Sequence, residues 1–434
     1  MLSLEQNIDK NALGERMYGL AKRLYPICRS ITGNGLRETL RILQGEIPLQ
    51  LHEVPTGTQV FDWVVPREWN IRDAYIKNSR GEKIVDFHEH NLHVLNYSTP
   101  VRARMRLGDL RPHLFSLPEK PEWIPYRTSY FNENWGFCVS HQQLESMTDD
   151  EYEVVIDSSL ESGALTYGEL TIPGQSEEQI LLFAHCCHPS LANDNLSGIA
   201  TVLELARLLS SASPRYTYRC VFAPGTIGCI TWLSQNRAEL HKVKSGLVAA
   251  VLGDPGQMTY KKTVFGDSLI DRASLHVLEG KNVQFRTLEF SPYGYDERQF
   301  ASPGINLPVG RLTRTPNGAY PEYHTSADNL DLITPAALGD SLATYLSILT
   351  IIENNLVYQN KLPYCEPQLG RRGLYKTIGG HIDSKERELA MLWILNQTDG
   401  RRDLLAIAER AKLPFQAIAH AAVELSSAGI IEEM

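Results

Sequence analysis

Apolar residues follow two alternating patterns through the middle of the chain, from 152 to 355. Nearly continuous apolar runs at 180–184 and 246–252 are typical of strands buried on both faces, whereas 198–210 and 336–355 carry apolar residues at helical spacing. Regular alternation of strands and helices predicts a mostly parallel sheet covered by helices. Ligands bind such sheets at the C-terminal ends of the strands, so the polar residues directly after apolar runs are the candidates for chemistry.

The pattern differs on both sides of this segment. Leu20, Leu24 and Ile27 lie at helical spacing near the N-terminus, and short alternating runs separated by Pro and Gly follow, which predict a small β-rich module. Near the C-terminus, three helical segments with short turns between them are typical of a winged-helix unit. We therefore expect a discontinuous α/β domain at 1–55 and 126–375, an inserted β-rich domain at 56–125 and a winged-helix-like domain at 381–434.

The composition is that of a soluble globular protein. Its excess of acidic residues disfavours nucleic acids and anionic membranes as partners. Of the 434 residues, 43% are hydrophobic and 21% charged, and 42 Lys and Arg stand against 51 Asp and Glu, a net charge of −9. From 385 to 434 there are six Lys and Arg and eight Asp and Glu, a net of −2. Because a phosphate-binding surface is basic, we expect this C-terminal unit to pack or interact with protein rather than read DNA. We expect neither nucleic acid nor a membrane as a partner.

The cysteines and the N-terminus indicate a cytoplasmic protein. Seven cysteines, an odd number at irregular spacing, do not suit a disulfide framework. The first twenty residues lack the basic start and apolar core of a signal peptide. No stretch approaches the roughly 18 uninterrupted apolar residues of a membrane helix.

The densest group of chemically capable residues follows the apolar run at 180–184. His185 and His188 come directly after this predicted strand, and Asp194 lies in the polar loop before the next predicted helix. Zinc readily binds imidazole nitrogens and carboxylate oxygens, so we expect a zinc site here. The alternative is structural: one histidine would satisfy buried backbone groups, and Ser197 would cap the helix.

Two further segments could complete such a site. Asp254 ends the predicted strand that begins at 246, although an Asp in the sequence Gly-Asp-Pro-Gly is equally typical of a turn. His324 lies between a Pro-containing approach and a loop that starts a helix. On spacing alone, both residues remain open as metal ligands or as structural residues.

Several fragments together carry a family resemblance. In chain order they are FAHCCHPSLANDNLSG, PGTIG, GDPG, YGYDERQF, SPG, LPVG and PEYHTSAD. As an ordered set they resemble the bacterial aminopeptidase-like domain proteins, distant relatives of the zinc exopeptidases, which include leucyl aminopeptidases and glutaminyl cyclases. The resemblance covers nearly the whole chain. It implies a zinc-exopeptidase-like (phosphorylase/hydrolase-like) three-layer αβα sandwich with an inserted small β domain and a C-terminal winged-helix domain.

The same resemblance implies a ligand set for Zn²⁺. It matches His185, Asp194 and His324 to metal ligands, with Asp194 as the bridging carboxylate. It places Asp254 near a further ligand position, with a looser local fit. His188 has no counterpart in the zinc exopeptidases. It belongs to the sequence pattern of the bacterial aminopeptidase-like domain proteins, and it could replace a missing metal ligand.

This sequence departs from the zinc exopeptidases at two positions that bear on catalysis. Active zinc exopeptidases carry two Glu after the strand that corresponds to 218–224, one as general base and one as metal ligand. Gly225 and Thr226 occupy those positions here. Proton transfer by such a base typically raises the reaction rate by a factor of about 10²–10⁴. The nearby carboxylates that could take over the role, or could equally be structural ion-pair residues, are Glu322, Asp296 and Glu297.

These observations support three hypotheses. The first is a zinc-dependent, aminopeptidase-like hydrolase that acts on an amide bond of a small aminoacyl or peptide-like substrate. The second is a catalytically inactive relative that serves as a binding or accessory protein of a polysaccharide or secondary-metabolite pathway. The third, in which the C-terminal unit reads DNA, is disfavoured by its charge. A thiol nucleophile at Cys186 or Cys187, with a neighbouring histidine as base, is a further alternative, and a homo-oligomeric assembly stays open.

Overall fold

The structure is a computed structural model that describes residues 2, 4, 8–374 and 382–434. The predicted domain limits at 375 and 381 lie outside the described residues. The helices are α1 (Lys10–Leu24), α2 (Asn34–Gln44), α3 (Leu107–Leu110), α4 (His141–Ser146), α5 (Gly198–Ser210), α6 (Ile227–Gln235), α7 (Leu269–Gly280), α8 (Glu297–Phe300), α9 (Pro335–Asn354), α10 (Ile382–Gln397), α11 (Leu404–Ala411) and α12 (Phe415–Ser427). The strands are β1 (Gln50–Pro55), β2 (Gln59–Val60), β3 (Trp63–Val64), β4 (Glu68–Lys77), β5 (Lys83–Asp86), β6 (Val101–Arg106), β7 (Leu114–Phe115), β8 (Phe137–Cys138), β9 (Glu151–Glu161), β10 (Ala164–Ile172), β11 (Gln179–His185), β12 (Thr217–Ala223), β13 (Val243–Ala249), β14 (Met258–Lys261), β15 (Phe285–Leu288), β16 (Val309–Thr313), β17 (Val357–Asn360), β18 (Asp399–Asp403) and β19 (Ile431–Glu433).

An eight-stranded mixed sheet forms the centre of the α/β domain. Its strand order is β1-β10-β12-β11-β13-β16-β14-β15. The inner strands β12, β11, β13 and β16 run parallel to one another, whereas the pairs β1–β10, β10–β12 and β14–β16 are antiparallel. The C-terminal ends of β11, β12 and β13 therefore meet at one edge of the sheet, where ligands bind in folds of this kind.

The central strand β11 is apolar along nearly its whole length because both of its faces are covered. Ile180, Leu182 and Ala184 pack in the core that contains α1, α5, α7 and α9. Leu181 and Phe183 pack on the opposite face, against α6, α8 and the inserted module. A strand buried on both faces has no polar side, as the continuous apolar run predicts. The result is a sheet between two layers of covering elements.

Helix α9 is a core element of the first layer. By length and composition it could cross a membrane, but 72% of its most apolar window is buried inside the protein. Its start is fixed by Thr334, whose side chain accepts a hydrogen bond from the backbone N–H of Ala337. Helix α1 packs directly against it, since a Cβ at Gly14 would come within 2.0 Å of the Pro335 carbonyl oxygen.

The inserted module is built on an antiparallel four-stranded sheet of order β5-β4-β9-β6. The sequence predicts residues 151–157 as a strand of the α/β domain, and this assignment is wrong, because β9 pairs with β4 and β6. Its alternating residues Tyr152, Val154 and Ile156 pack in the core between the module and the main sheet. An alternating strand suits either sheet, so periodicity alone could not assign it. The small sheet therefore continues beyond the predicted limit at 125, to Glu161.

The C-terminal unit combines α10, α11 and α12 with a three-stranded sheet of order β18-β17-β19. Because β17 begins at Val357, the unit includes residues well before the predicted start at 381. Short strands are weak signals beside amphipathic helices, and for this reason the sequence revealed the helices but not the first strand of the unit.

Two contacts hold the C-terminal unit on α7. Arg272 pairs with Asp403 at 3.0 Å and with Glu409 at 2.8 Å. The first backbone N–H of α12, at Phe415, donates to Nε2 of His276 at 3.1 Å. In a helix-turn-helix, the N-terminal residues of the second helix contact base edges in the DNA groove. In this protein, that end of α12 is bonded to the α/β domain.

A partly buried ion-pair network joins α2 to both sheets. Arg37 donates to Glu68 with both terminal nitrogens, at 2.7 and 2.5 Å, and its Nε donates to Glu53 of β1 at 2.7 Å. Glu68 also accepts from the backbone N–H of Ala164, at the start of β10. The hydrogen bonds from Arg37 lower the pKa of Glu68 to about 2, against the opposing effect of burial. One carboxylate thus connects the inserted module to the main sheet.

We expect Glu68→Gln to lower the free energy of unfolding by about 1–3 kcal/mol at pH 7, because the charge-assisted bonds to Arg37 are lost. The pKa of Glu68 is lower in the folded state than in the unfolded state. Its contribution is therefore fully present above about pH 4.5 and is lost as the pH falls toward about 2. Denaturant unfolding of wild type and Glu68→Gln between pH 7 and pH 2.5 measures the difference in their free energies of unfolding, which should shrink as the pH falls. The control, Glu82→Gln in an exposed ion pair, should leave stability nearly unchanged across this pH range. A difference that persists undiminished at low pH would contradict the assignment.

Candidate metal centre

Three histidines converge on the carboxylate of Asp194 at the C-terminal edge of the main sheet. His185 is the last residue of β11, and its Nε2 lies 2.8 Å from Oδ1 of Asp194. Nε2 of His324 lies 3.1 Å from Oδ2, and Nε2 of His188 lies 3.9 Å from the same oxygen. Ligand atoms of His185, His188 and Asp194 all lie within 4.8 Å of one another, and the three residues are buried. These three residues offer imidazole nitrogens and a carboxylate oxygen close enough to hold a metal ion.

Two asparagines fix the loop that carries Asp194. Asn195 donates to the carbonyls of His185 and Ala249, at 3.2 and 3.0 Å, and so ties the ends of β11 and β13 together. Oδ1 of Asn193 accepts a hydrogen bond from a backbone N–H just after β13, at 2.9 Å. The backbone on both sides of Asp194 is therefore held by side-chain hydrogen bonds of its two neighbours.

Asp328 is a residue of this site that the sequence reasoning missed. Its carboxylate accepts from the backbone N–H groups of Asn193, at 2.6 Å, and Asp194, at 3.2 Å. Tyr320 donates its hydroxyl to the same carboxylate at 3.0 Å. Burial, followed by the charge of Asp194, raises the pKa of Asp328 to about 7. An Asp in a loop before a helix is also typical of a helix cap, so the sequence carried no signal for this role.

The charges of the cluster compensate one another. Burial would raise the pKa of Asp194, but the surrounding imidazoles, His188, His185 and His324, hold it well below its usual range. Burial would lower the pKa of His185, and Asp194 raises it instead. Burial lowers the pKa of His188 to about 3, so that ring is neutral at physiological pH. A neutral imidazole and an ionised carboxylate are the forms that bind metal ions.

Asp296 comes closest to the cluster among the three carboxylates considered as bases. Its Oδ2 lies 3.7 Å from Nδ1 of His185, the ring nitrogen opposite the one that faces Asp194. Asp296 is fully buried, and within the described residues neither of its carboxylate oxygens has a hydrogen-bond partner. Burial raises the pKa of Asp296 to about 7. A Cβ at Gly225 would lie 3.3 Å from Oδ2 of Asp296 and 2.9 Å from the ring of Tyr295, so the loop has no room for a glutamate there.

Glu297 and Glu322 are placed differently. Glu297 is buried, with its Oε1 2.9 Å from Nζ of Lys261 and 3.2 Å from the guanidinium of Arg311. Burial would raise the pKa of Glu297, but Arg311 and Lys261 hold it below its usual value. Glu322 is half-buried in the loop that carries His324. Glu297 is thus engaged in a buried ion-pair cluster, and the described contacts give Glu322 no link to the histidines.

Asp254 lies beside the cluster, in the second layer behind Asp194. Its carboxylate accepts from Oγ1 of Thr315 at 2.5 Å, from the backbone N–H of Gly256 at 2.8 Å and from Nδ2 of Asn193 at 3.2 Å. These bonds occupy both oxygens and are typical of a turn aspartate. Asp254 reaches the cluster through Asn193, the neighbour of Asp194.

The adjacent cysteines are buried next to the histidines. Sγ of Cys187 lies 3.7 Å from Nδ1 of His188 and 3.7 Å from the carbonyl oxygen of Gly225. Burial raises the pKa of Cys187 to about 12 and that of Cys186 well above its usual value. A thiol that stays protonated is a poor nucleophile, so the surroundings of both residues argue against a catalytic cysteine.

Tyrosines cover the histidines, an arrangement that the sequence pattern does not predict. The hydroxyl of Tyr295 lies 3.0 Å from Nε2 of His188, and the ring of Tyr323 stacks on His324 at 3.9 Å. Tyr126 packs its ring edge-on against both His188 and His324, at 5.1 Å. Aromatic residues in a sequence are most often core residues, so only the structure could show that these three surround a polar cluster.

The fold and this site define an aminopeptidase-like α/β protein. Residues 18–355 match the model of a family described as a domain of unknown function (DUF4910), and residues 356–433 match a winged helix-turn-helix model. The chain is 52% identical over 414 residues, 95% of each chain, to a Clostridium acetobutylicum protein that is named for polysaccharide biosynthesis and an aminopeptidase-like domain. The chain therefore belongs to the DUF4910 family of aminopeptidase-like domain proteins, with a C-terminal winged helix.

Two solved structures confirm the predicted fold class. A crystal structure of a candidate peptidase from Clostridium acetobutylicum is 49% identical, covers 98% of both chains and has a TM-score of 0.94. A zinc aminopeptidase from Bacillus subtilis is 12% identical, covers 78% of this chain and 95% of its own, and has a TM-score of 0.57. The likeness to the Bacillus subtilis enzyme shows a shared fold. The two Clostridium acetobutylicum matches confirm the resemblance to aminopeptidase-like domain proteins seen in the sequence.

We expect the full-length protein, purified without chelator, to bind about one divalent metal ion per chain. His324→Ala should weaken metal affinity by more than the roughly 10–100-fold that changes in outer-shell residues cost, because a ligand is removed. Isothermal titration with Zn²⁺ measures the affinity, and elemental analysis measures the content. The control is His241→Ala, an exposed histidine remote from the cluster, which should leave both unchanged. Protein that takes up no divalent ion would contradict the assignment.

Proposed function

We propose that the protein is a cytoplasmic, zinc-dependent, aminopeptidase-like hydrolase that cleaves an amide bond of a small aminoacyl substrate. The observation that carries this proposal is the set of three imidazoles around the buried carboxylate of Asp194, at the sheet edge where related folds bind their ligands; His185 and His188 are buried, and the side chain of His324 is 30% exposed. In this proposal His185, Asp194 and His324 hold the metal, and His188 is a fourth ligand. Asp254 supports the loop through Asn193.

Zinc bound by such ligands acts as a Lewis acid that polarises a carbonyl group and makes water a better nucleophile. The chain supplies the rest. Asp194 presents both oxygens to the imidazoles, and the tyrosines above the cluster exclude bulk water and leave an apolar wall for a substrate. The buried surroundings strengthen every electrostatic interaction in the site.

Asp296 lies closest to the histidines among the three carboxylates considered in place of the glutamates absent at 225 and 226, and we assign it a positioning role. Its Oδ2 lies 3.7 Å from Nδ1 of His185, which also lies 3.4 Å from Nδ2 of Asn195. Histidines that ligate metals commonly donate their second ring N–H to a carboxylate. We propose that Asp296 holds the Nδ1 proton of His185 and so fixes the ring with Nε2 turned toward Asp194. Glu297 keeps its ion pairs, and Glu322 is the less favoured candidate because its contacts do not reach the histidines.

A second candidate function is an inactive relative that binds a ligand or serves as an accessory protein in a polysaccharide or secondary-metabolite pathway. The absence of both glutamates at 225 and 226 favours it, and the name of the Clostridium acetobutylicum relative points to polysaccharide biosynthesis. For the C-terminal unit we propose a packing role, because the start of α12 is bonded to His276 and the unit is acidic.

We expect slow hydrolysis of at least one compound in a panel of aminoacyl amides at saturating Zn²⁺, and we expect Asp194→Ala to abolish it. Removal of the central carboxylate takes away both the metal and the charge that orients the imidazoles. Release of free amine, followed by mass spectrometry, measures turnover. The matched control Asp267→Asn, at an exposed position, should retain wild-type rates. If zinc-loaded protein hydrolyses nothing in the panel, the inactive relative is the better account.

We expect Asp296→Asn to weaken zinc affinity by about 10–100-fold, because an outer-shell carboxylate that orients a ligating histidine is replaced by a neutral amide. The pH dependence of zinc affinity should change in parallel. A residue that served only to fill space would alter the melting temperature and leave zinc affinity intact. Equal zinc affinity of Asp296→Asn and wild type across pH 5.5–8 would overturn this role.

A further inference from the structure

A second polar group lies on the same face of the sheet as the metal cluster. Lys261 of β14 and Arg311 of β16 are directly opposite each other across an antiparallel pair of strands. Like charges in this arrangement repel each other. Both side chains are nearly inaccessible, at 4% and 5% exposure, and one carboxylate, that of Glu297, lies between them. Two buried cations therefore share a single anion.

The guanidinium of Arg311 is the less satisfied of the two cations. Lys261 donates to Oε1 of Glu297 and to the carbonyl oxygen of Tyr293, at 2.9 and 2.8 Å. Arg311 has one ion pair, with Glu297 at 3.2 Å, and within the described residues its buried Nε has no hydrogen-bond partner. A buried guanidinium whose Nε–H is unpartnered among the described residues is suited to a carboxylate or a phosphate group.

Arg311 is also within reach of the metal cluster. The side chains of His185 and Arg311 project from the same face, on β11 and β16, with only β13 between them. Neighbouring strands lie about 4.8 Å apart, so a molecule of amino-acid size can span the two groups. The charge of Arg311 acts on both His185 and Tyr323. The segment that contains Tyr295, Asp296 and Glu297 covers both the metal cluster and the guanidinium of Arg311.

We propose that Arg311 is an anion-recognition residue of this site and that the substrate carries an acidic group, a carboxylate or a phosphate, beside its scissile amide. The proposal rests on the proposed function for the position of the amide. Anion binding itself can be measured without turnover and without metal, so the two proposals fail separately.

The test is isothermal titration of the full-length protein with glutarate and, separately, with inorganic phosphate, at constant ionic strength. Each titration is run on zinc-loaded and on chelator-treated protein. We expect wild type to bind one of the two anions in both states, and the stronger one identifies the acidic group. Arg311→Met should weaken that binding at least tenfold. Arg298→Met, at an exposed arginine beside Glu297, is the matched control and should bind as wild type does.

Thermal unfolding separates recognition from a structural role. Arg311→Met leaves Lys261 and Glu297 as a balanced pair, so we expect its melting temperature to equal or exceed that of wild type. If that variant does not fold, Arg311→Lys keeps the charge but loses the planar fork, and it should bind several-fold more weakly than wild type. Wild-type protein that binds neither anion would overturn the proposal. So would anion binding that depends on zinc but not on Arg311.

Discussion

The burial of the Asp194 carboxylate is the constraint on which the rest of the site depends. An ionised carboxylate in a protein interior costs several kcal/mol unless charges and hydrogen bonds compensate it. Here His185 and His324, from two distant segments of the chain, bond the two oxygens of the carboxylate, and the neutral ring of His188 lies beside them. His188 is held in turn by the fully buried Arg29, which donates to its carbonyl oxygen at 2.9 Å and joins the start of the fold to the site. Any change that moves one of these segments leaves a buried charge uncompensated, so the loops are rigid for an electrostatic reason.

The sheet converts this local requirement into a site. Parallel strands end at a common edge, so loops that are more than a hundred residues apart in the sequence become neighbours there. His185 is at the end of one strand, Asp194 lies in the loop that leads into α5, and His324 comes from a loop after β16. The tyrosines then cover most of the cluster, and their rings lie beside strongly polar groups. Such an arrangement favours small ligands with one polar group to bind and an apolar or acidic part to discriminate.

The sequence predicted those parts of this structure that depend on local patterns. The apolar run of β11 and the helical spacing of α5 and α9 are strong signals, and polar residues directly after a strand pointed to His185, His188 and Asp194. Asp328 and Tyr295 could not be predicted, because a loop aspartate and an aromatic residue each have a more common structural role. The strand β9 was assigned to the wrong sheet, because its alternation suits both. Long-range pairing decides such cases, and a single sequence carries no information about it.

Gly225 and Asp296 are best understood as one feature. The missing glutamate pair, taken alone, argues for an inactive relative, since no carboxylate follows β12. In the structure the space beside Gly225 is occupied by the ring of Tyr295 and the carboxylate of Asp296, and both come from the segment that also carries Glu297. That segment can approach His185 only because position 225 has no side chain. The same approach buries Glu297 between Lys261 and Arg311 and leaves an excess positive charge next to the histidines. The absence of glutamates at 225 and 226 therefore does not leave the histidines without a neighbouring carboxylate, because the segment that carries Asp296 places one near His185 and a second, Glu297, between two buried cations.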